Sequence, residues 1–299
     1  MTDHPFETVD VFTDRLFGGN PLAVVLDARG LSDGQMQAIA REFNFSETTF
    51  LLPPTDPANT AKVRIFTPGV EVPFAGHPNV GTAFVLHRLG TIFGKKIATP
   101  LRFEEQAGLV LVDVEPNGRA IVTAPQRLSI GTTVPAAVAA PCLSLEASDI
   151  ATRAHNPTVV SVGLPFLMVE VKSREALVRA RIDGRAFAEH LPLDIAAGIH
   201  FYFRAAASDE VDLRARMFSP IDGVGEDPAT GSANAALAGF LAALTPQDDL
   251  TLSLRIAQGV EMGRASLIDA EVIKTGGRIE RVRIGGQSVA VMAGTFHVS

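Results

Sequence analysis

The sequence predicts an α+β protein of two pseudo-symmetric domains, each a curled β-sheet, or half-barrel, wrapped around one buried central helix. Three observations lead there. Two stretches about 150 residues apart follow one pattern. The first is Arg64-Ile65-Phe66-Thr67-Pro68, a loop, then Phe74-Ala75-Gly76-His77-Pro78; the second is Arg216-Met217-Phe218-Ser219-Pro220, a similar loop, then Glu226-Asp227-Pro228-Ala229-Thr230-Gly231-Ser232. That period is too long for a solenoid and suggests two similar domains, with a cleft between them lined by the two helix starts. Each copy also leads into a helix apolar on nearly all sides, Val80 to Leu89 and Ala233 to Leu244, and such a helix must be buried. Around both, short β-branched and alternating segments outnumber helices.

In the first half, strands are predicted at Thr8 to Thr13, Leu22 to Leu26, Glu47 to Leu52, Ala61 to Phe66, Leu101 to Glu104, Val110 to Val114 and Ala120 to Thr123. One surface helix lies among them. Ser32 reads as its N-cap, Met36, Ile39, Ala40 and Phe43 form its apolar face, and it stops at Asn44. Residues 125–133 have the composition of a linker, giving domains of 1–125 and 126–299, with the last strand free to pack back on the first domain. The second half predicts strands at Val159 to Val162, Phe166 to Val171, Ile199 to Phe203, Val211 to Phe218, Leu250 to Ile256, Ala265 to Val272 and Ile279 to Ile284. Short helices fall at Arg174 to Ile182 and Phe187 to Leu191. Gly81 and Gly239 sit where sheet backbone would approach the two buried helices.

Composition narrows the function. The 299 residues are 46% hydrophobic and 20% charged, which is globular, and the net charge of -7 argues against a nucleic-acid partner. No stretch reaches the roughly 20 apolar residues of a membrane span, and the first residues lack a secretory signal, so the expected location is cytoplasmic. A single cysteine, Cys142, excludes an intrachain disulfide and a cysteine metal cluster, and the seven histidines have no ligand spacing. No nucleotide-binding or hydrolase motif is present, so neither metal nor cofactor is expected.

Chemistry concentrates at the two repeats. Pro78 and Pro228 read as first helical residues, which makes His77 and Asp227 the N-caps. Asp227 is then explained by capping or by a ligand, whereas His caps poorly. Helix N-termini favour anions, and Gly76 and Gly231 would let a carboxylate come close to backbone N–H groups. Ser232 either adds a hydroxyl to the ligand or bonds within the first turn. For proton transfer the candidate is Glu47, at the start of a strand, although an isolated glutamate there is more often a solvated charge.

Five motifs in order then carry a family resemblance over nearly the whole chain. They are Asp10-Val11-Phe12-Thr13 with Gly19-Asn20-Pro21-Leu22; Ser46-Glu47-Thr48; Ile65-Phe66-Thr67-Pro68 with Pro73-Phe74-Ala75-Gly76-His77-Pro78; Glu226 to Ala233; and Gln258-Gly259 with Met262-Gly263-Arg264. Together they resemble the phenazine-biosynthesis PhzF-like isomerases, whose fold is similar to diaminopimelate epimerase. The resemblance implies a cofactor-free isomerase with Glu47 as acid and base, His77 and Asp227 assisting, and Gly76, Gly231 and Ser232 binding a small carboxylate. The cysteine pair of the epimerase relatives is absent, and Ala265 stands where the family commonly has Pro. The expected reaction is a proton shift between carbons of a small amine- or hydroxyl-bearing carboxylate, with a homodimer left open. The competing reading is a non-catalytic carboxylate-binding protein on the same scaffold.

Overall fold

The computed structural model describes residues 2–191, 196–206, 209–220 and 225–298. It divides into two compact units, residues 1–125 with 284–299, and residues 126–283. In the first, β1 (Thr2–Val11) pairs antiparallel with β2 (Asn20–Val25), and after α1 (Asp33–Phe43) the strand β3 (Glu47–Leu52) joins β2 in parallel. β4 (Ala61–Phe66) runs antiparallel to β3, and the short β5 (Glu71–Val72) folds back on β4 before α2 (Gly76–Leu89). A small hairpin, β6 (Thr91–Ile92) and β7 (Lys95–Lys96), leads to β8 (Leu101–Glu105), which lies parallel to β4; β9 (Gly108–Val114) and β10 (Ala120–Thr123) continue as an antiparallel meander.

The second unit repeats this plan. β11 (Ser129–Thr133) leads through α3 (Ala136–Cys142) to its antiparallel partner β12 (Thr158–Ser161), which pairs with β13 (Pro165–Glu170). After α4 (Arg174–Arg179) and α5 (Gly184–His190), β14 (Ile199–Arg204) lies parallel to β13, β15 (Leu213–Ser219) antiparallel to β14, and β16 (Gly225–Asp227) folds back on β15. Then α6 (Gly231–Leu244) leads to β17 (Leu250–Gln258), parallel to β15, and to β18 (Ser266–Thr275), antiparallel to β17. β19 (Arg278–Gly286) runs through the division point. Finally β20 (Ser288–Val298) pairs antiparallel with β1 in the first unit. The order β3-β4-β5-α2-β8 therefore recurs as β14-β15-β16-α6-β17, pairing for pairing, so the sequence repeat is a structural one.

Each unit is built on its enclosed helix. α2 packs against β1, β2, β3, β9, β10 and β20, while α6 packs against β12, β13, β17 and β18. Both are buried along most of their length, as apolar residues on every face require. Gly81 shows how close the sheet comes. A Cβ built there would lie 2.7 Å from both Leu22 Cδ2 and Val11 Cγ2, side chains that are themselves fully buried. α1 also forms as its caps dictate: Ser32 Oγ accepts from the Gln35 amide, Gln35 Oε1 accepts from the Ser32 amide, and Asn44 closes the helix in the left-handed region.

Several expectations need correction. The proposed linker contains β11, which pairs with β12, and β1 begins at Thr2 rather than Thr8. α5 spans Gly184–His190, starting at the Asp183 cap whose side chain accepts from the Arg185 and Ala186 amides, not at Phe187. The loop after Pro220 lies outside the described residues at 221–224.

The fit at Gly81 generates a stability prediction. Gly81→Val would drive branched methyls into Leu22 and Val11, and overpacking of this kind costs about 1–3 kcal/mol. Urea unfolding should show a lowered midpoint, and an unchanged midpoint would mean that the half-barrel does not grip α2 here.

Candidate active site

The two repeats end in the same construction. In the first unit Arg64 on β4 holds Glu71 on β5 through paired bonds, Nε to Oε1 at 2.7 Å and Nη2 to Oε2 at 2.6 Å. In the second, Arg216 on β15 holds Glu226 on β16 at 2.8 and 2.9 Å. Each guanidinium also lies over a ring of its own strand, Phe66 at 5.1 Å and Phe218 at 4.9 Å. These bidentate pairs fix where each chain leaves the sheet to enter its helix.

The position of that departure corrects the reading of the prolines. α2 starts at Gly76 with Ala75 as N-cap, and α6 starts at Gly231 with Thr230 as N-cap. Glu71 therefore stands to Gly76 as Glu226 stands to Gly231, so the counterpart of Pro228 is Pro73, and Pro78 lies inside the first turn. His77 and Asp227 are not N-caps. His77 is the second helical residue, corresponding to Ser232, whereas Asp227 ends β16 ahead of its helix. Neither N-cap residue makes a side-chain capping bond, which leaves the N–H groups of Gly76 and His77, and of Gly231 and Ser232, without a cap from the side chain.

In the first unit the structure brings Glu47 and His77 together. Glu47 opens β3, its carboxylate oxygen Oε2 lies 3.4 Å from His77 Nδ1, and the Asn20 amide nitrogen donates to the same Nδ1 at 3.2 Å. His77 is 2% exposed, and its Nε2 is buried without a hydrogen-bond partner. Burial drives the imidazole down to about 3, with the Pro21 carbonyl opposing the shift, so the ring is neutral at physiological pH. Because Nδ1 takes the Asn20 N–H, the neutral ring carries its proton on Nε2, and Nδ1 faces the Glu47 carboxyl as an acceptor that can take a proton-bearing oxygen.

In the second unit the helix start is held by a buried polar network. Asp227 Oδ2 accepts from the Thr230 hydroxyl at 2.6 Å. Gln258, at the end of β17, binds four ways: its Nε2 donates to the Asp227 carbonyl and Thr230 Oγ1, and its Oε1 accepts from the Thr230 amide and from Asn234 Nδ2. His200 Nε2 completes the chain against Asn234 Oδ1 at 3.2 Å, and burial lowers that imidazole to about 4. Ser232 is buried on the first turn. Gly76, Gly231, Asp227 and Ser232 are thus all placed at the two helix starts, each within its own unit. Cys142 is elsewhere, buried in α3, with its thiol pushed up to about 11 by that burial. Among the described residues, no cluster of three or more His, Cys, Asp and Glu could hold a metal ion, and no helix is long and apolar enough to cross a membrane.

Sequence reasoning missed Asn20, Asn79, Asn234 and Gln258 as members of this construction. Their signal was available in part: Asn79 and Asn234 are buried amides near the starts of largely apolar helices, and both donate from Nδ2 to the N-cap carbonyl, Ala75 or Thr230, at 2.9 Å.

Comparison with known proteins gives the family and the fold. The pattern described as phenazine biosynthesis-like protein matches residues 9–294. An uncharacterised isomerase of Mesorhizobium japonicum is 40% identical over 97% of both chains, and the trans-2,3-dihydro-3-hydroxyanthranilate isomerase of Pseudomonas chlororaphis is 36% identical over 98% of this chain and 99% of its own. Among solved structures, a phenazine biosynthesis protein of the PhzF family from Bacillus anthracis superimposes with a TM-score of 0.87 at 26% identity, covering both chains completely.

The buried ring at position 77 yields a direct test. Its ordinary value is 6.5 and its folded value is far lower, so between the two the unfolded chain takes up a proton that the native protein refuses, and this ring's contribution to stability declines as pH falls below about 6.5. In a ring-labelled sample the His77 resonances should stay flat from about pH 8 to 5. A titration centred near 6.5 would place the ring in contact with solvent and contradict the geometry.

Proposed function

The chain belongs to the phenazine biosynthesis-like protein family and is an isomerase, and on that premise we propose that it moves a proton between carbons of a small carboxylated substrate bearing an amine or hydroxyl, without a cofactor and with Glu47 as acid and base. The observation that carries this reading is the Glu47 carboxylate at 3.4 Å from a buried, neutral His77 on the first turn of α2. A proton shift needs one group that is ionised to abstract and protonated to return. Glu47 is that group in this reading, and His77, neutral and with Nδ1 as an acceptor, favours the protonated carboxyl rather than storing the proton itself.

Binding follows from the uncapped helix starts. A substrate carboxylate would take the N–H groups of Gly76 or of Gly231 and Ser232, where a helix N-terminus favours an anion by about 0.3–2 kcal/mol. Asp227 would repel that anion unless it accepts a hydrogen bond from an amine or hydroxyl of the same molecule. For that reason the proposed substrate pairs an acid with such a donor, a pairing that the named substrate of the Pseudomonas chlororaphis relative also contains. A two-thiol cycle is not open to a chain with one cysteine.

Glu47→Gln keeps the shape of the side chain but cannot cycle a proton. On a confirmed substrate it should lose at least about a hundredfold in isomerisation rate with an unchanged thermal melt. Wild-type turnover by this variant would reduce Glu47 to a strand-edge charge and remove the mechanism.

A further inference from the structure

A second buried carboxyl, Glu105, lies outside the chemistry described above. Both of its oxygens are buried without a hydrogen bond of normal geometry, and the Asn79 amide lies close enough to act on it. The internal repeat says what this position is for. β4 and β8 pair in parallel with Ala61 opposite Phe103, and β15 and β17 pair in parallel with Leu213 opposite Ile256. Ala61 precedes Arg64 as Leu213 precedes Arg216, so Glu105 on β8 occupies the position of Gln258 on β17, just as Asn79 occupies that of Asn234.

Gln258 braces the start of α6 with both ends of its amide. Its oxygen takes the Asn234 side chain at 2.7 Å and its nitrogen donates to the carbonyl of Asp227 at 2.8 Å. A carboxylate in the equivalent place could accept from Asn79 but would turn a second acceptor towards the carbonyl of Val72, the counterpart of Asp227. We infer that Glu105 is a positioning residue: as a neutral carboxylic acid it accepts from Asn79 and donates its O–H to the Val72 carbonyl, bracing the segment that sets Gly76 and His77 as Gln258 braces the start of α6.

The surroundings agree. Burial holds the Glu105 carboxyl well above the ordinary carboxylate range, against the Asn79 amide, which favours the ionised form. Among the described residues no ion pair reaches it. Of the charged groups on adjoining segments, Glu71 on β5 is engaged by Arg64 on β4. Glu104, the preceding residue on β8 and on the opposite face, is held by Asn59 and the amides of Thr55 and Asp56. On β9 the partner of Glu105 is Gly108, which carries no side chain, and α2 presents Asn79.

The functional consequence rests on the reading that the first turn of α2 carries the reaction, but the brace itself can be tested without a substrate. An acid with a raised folded value stabilises the native state fully below its unfolded value near 4.5, and loses that contribution as pH rises through the folded one. Glu105→Gln copies Gln258 and has no proton to lose. Thermal melts of the two proteins should therefore diverge as pH rises above about 5, with the Gln variant gaining on wild type, and the labelled Glu105 carboxyl should remain protonated at neutral pH. In turnover, Glu105→Ala should lower kcat by up to about a hundredfold, the cost of a small misplacement of catalytic groups, while Glu105→Gln restores kcat and flattens the alkaline limb of the pH profile. Parallel melts at every pH, or a Glu105 carboxyl that titrates in the ordinary range, would overturn the inference and leave the assignment of Glu47 untouched.

Discussion

Burying the first turn of a helix is the constraint on which this structure depends. The opening N–H groups of a helix have no partner within it and ordinarily take water or a capping side chain. Here α2 and α6 begin inside their half-barrels, Ala75 has no polar side chain to offer, and the Thr230 hydroxyl donates to Asp227. Apolar faces along both helices make burial favourable, yet the same burial creates polar ends that only fixed groups or a ligand can satisfy. The glycines at 76 and 231, the asparagines at 79 and 234 and the Arg–Glu pairs all act on those two ends.

The two units meet this shared constraint with different chemistry. Arg64–Glu71 and Arg216–Glu226 are the same device twice, and the asparagines bond to equivalent carbonyls. Beyond that the copies diverge. The second unit closes a network through Gln258, Thr230, Asn234 and His200 that takes in the Asp227 carboxyl through the Thr230 hydroxyl. The first unit instead places Glu47 against His77 and Glu105 near Asn79, two carboxyl groups whose protonation can matter. The two copies thus share one frame and differ in the polar groups set against it.

Much of this was legible in the sequence. Strands at Glu47–Leu52 and Ala61–Phe66 match their predicted bounds because their burial alternates or runs continuously between clear turn signals, and α1 ends where Ser32 and Asn44 end it. What was hidden depends on distant partners. The opening residues of β1 are mixed in polarity and become a strand by pairing with β20, nearly three hundred residues away, while β11 is exposed throughout and exists through its ladder with β12. At the site, Glu47 and His77 were visible as residue types, but the prolines misaligned the repeats: Pro78 resembles Pro228 by its neighbours, whereas the register of β5 and β16 matches Pro228 to Pro73. Asn20 and Gln258 gain meaning only when parallel strands carry them to the helix starts, which no local pattern encodes.

The most direct measurement is to follow backbone amide resonances during titration with a small amino acid of the benzoate type, such as anthranilate, and with its carboxamide. If a buried, uncapped first turn holds the substrate's carboxylate, the amides of Gly76 and His77, or those of Gly231 and Ser232, should shift and saturate with the acid, and respond weakly or not at all to the carboxamide. Equal responses to the two ligands, or shifts that leave these four amides unmoved while others saturate, would show that the helix starts are structural and that the site lies elsewhere.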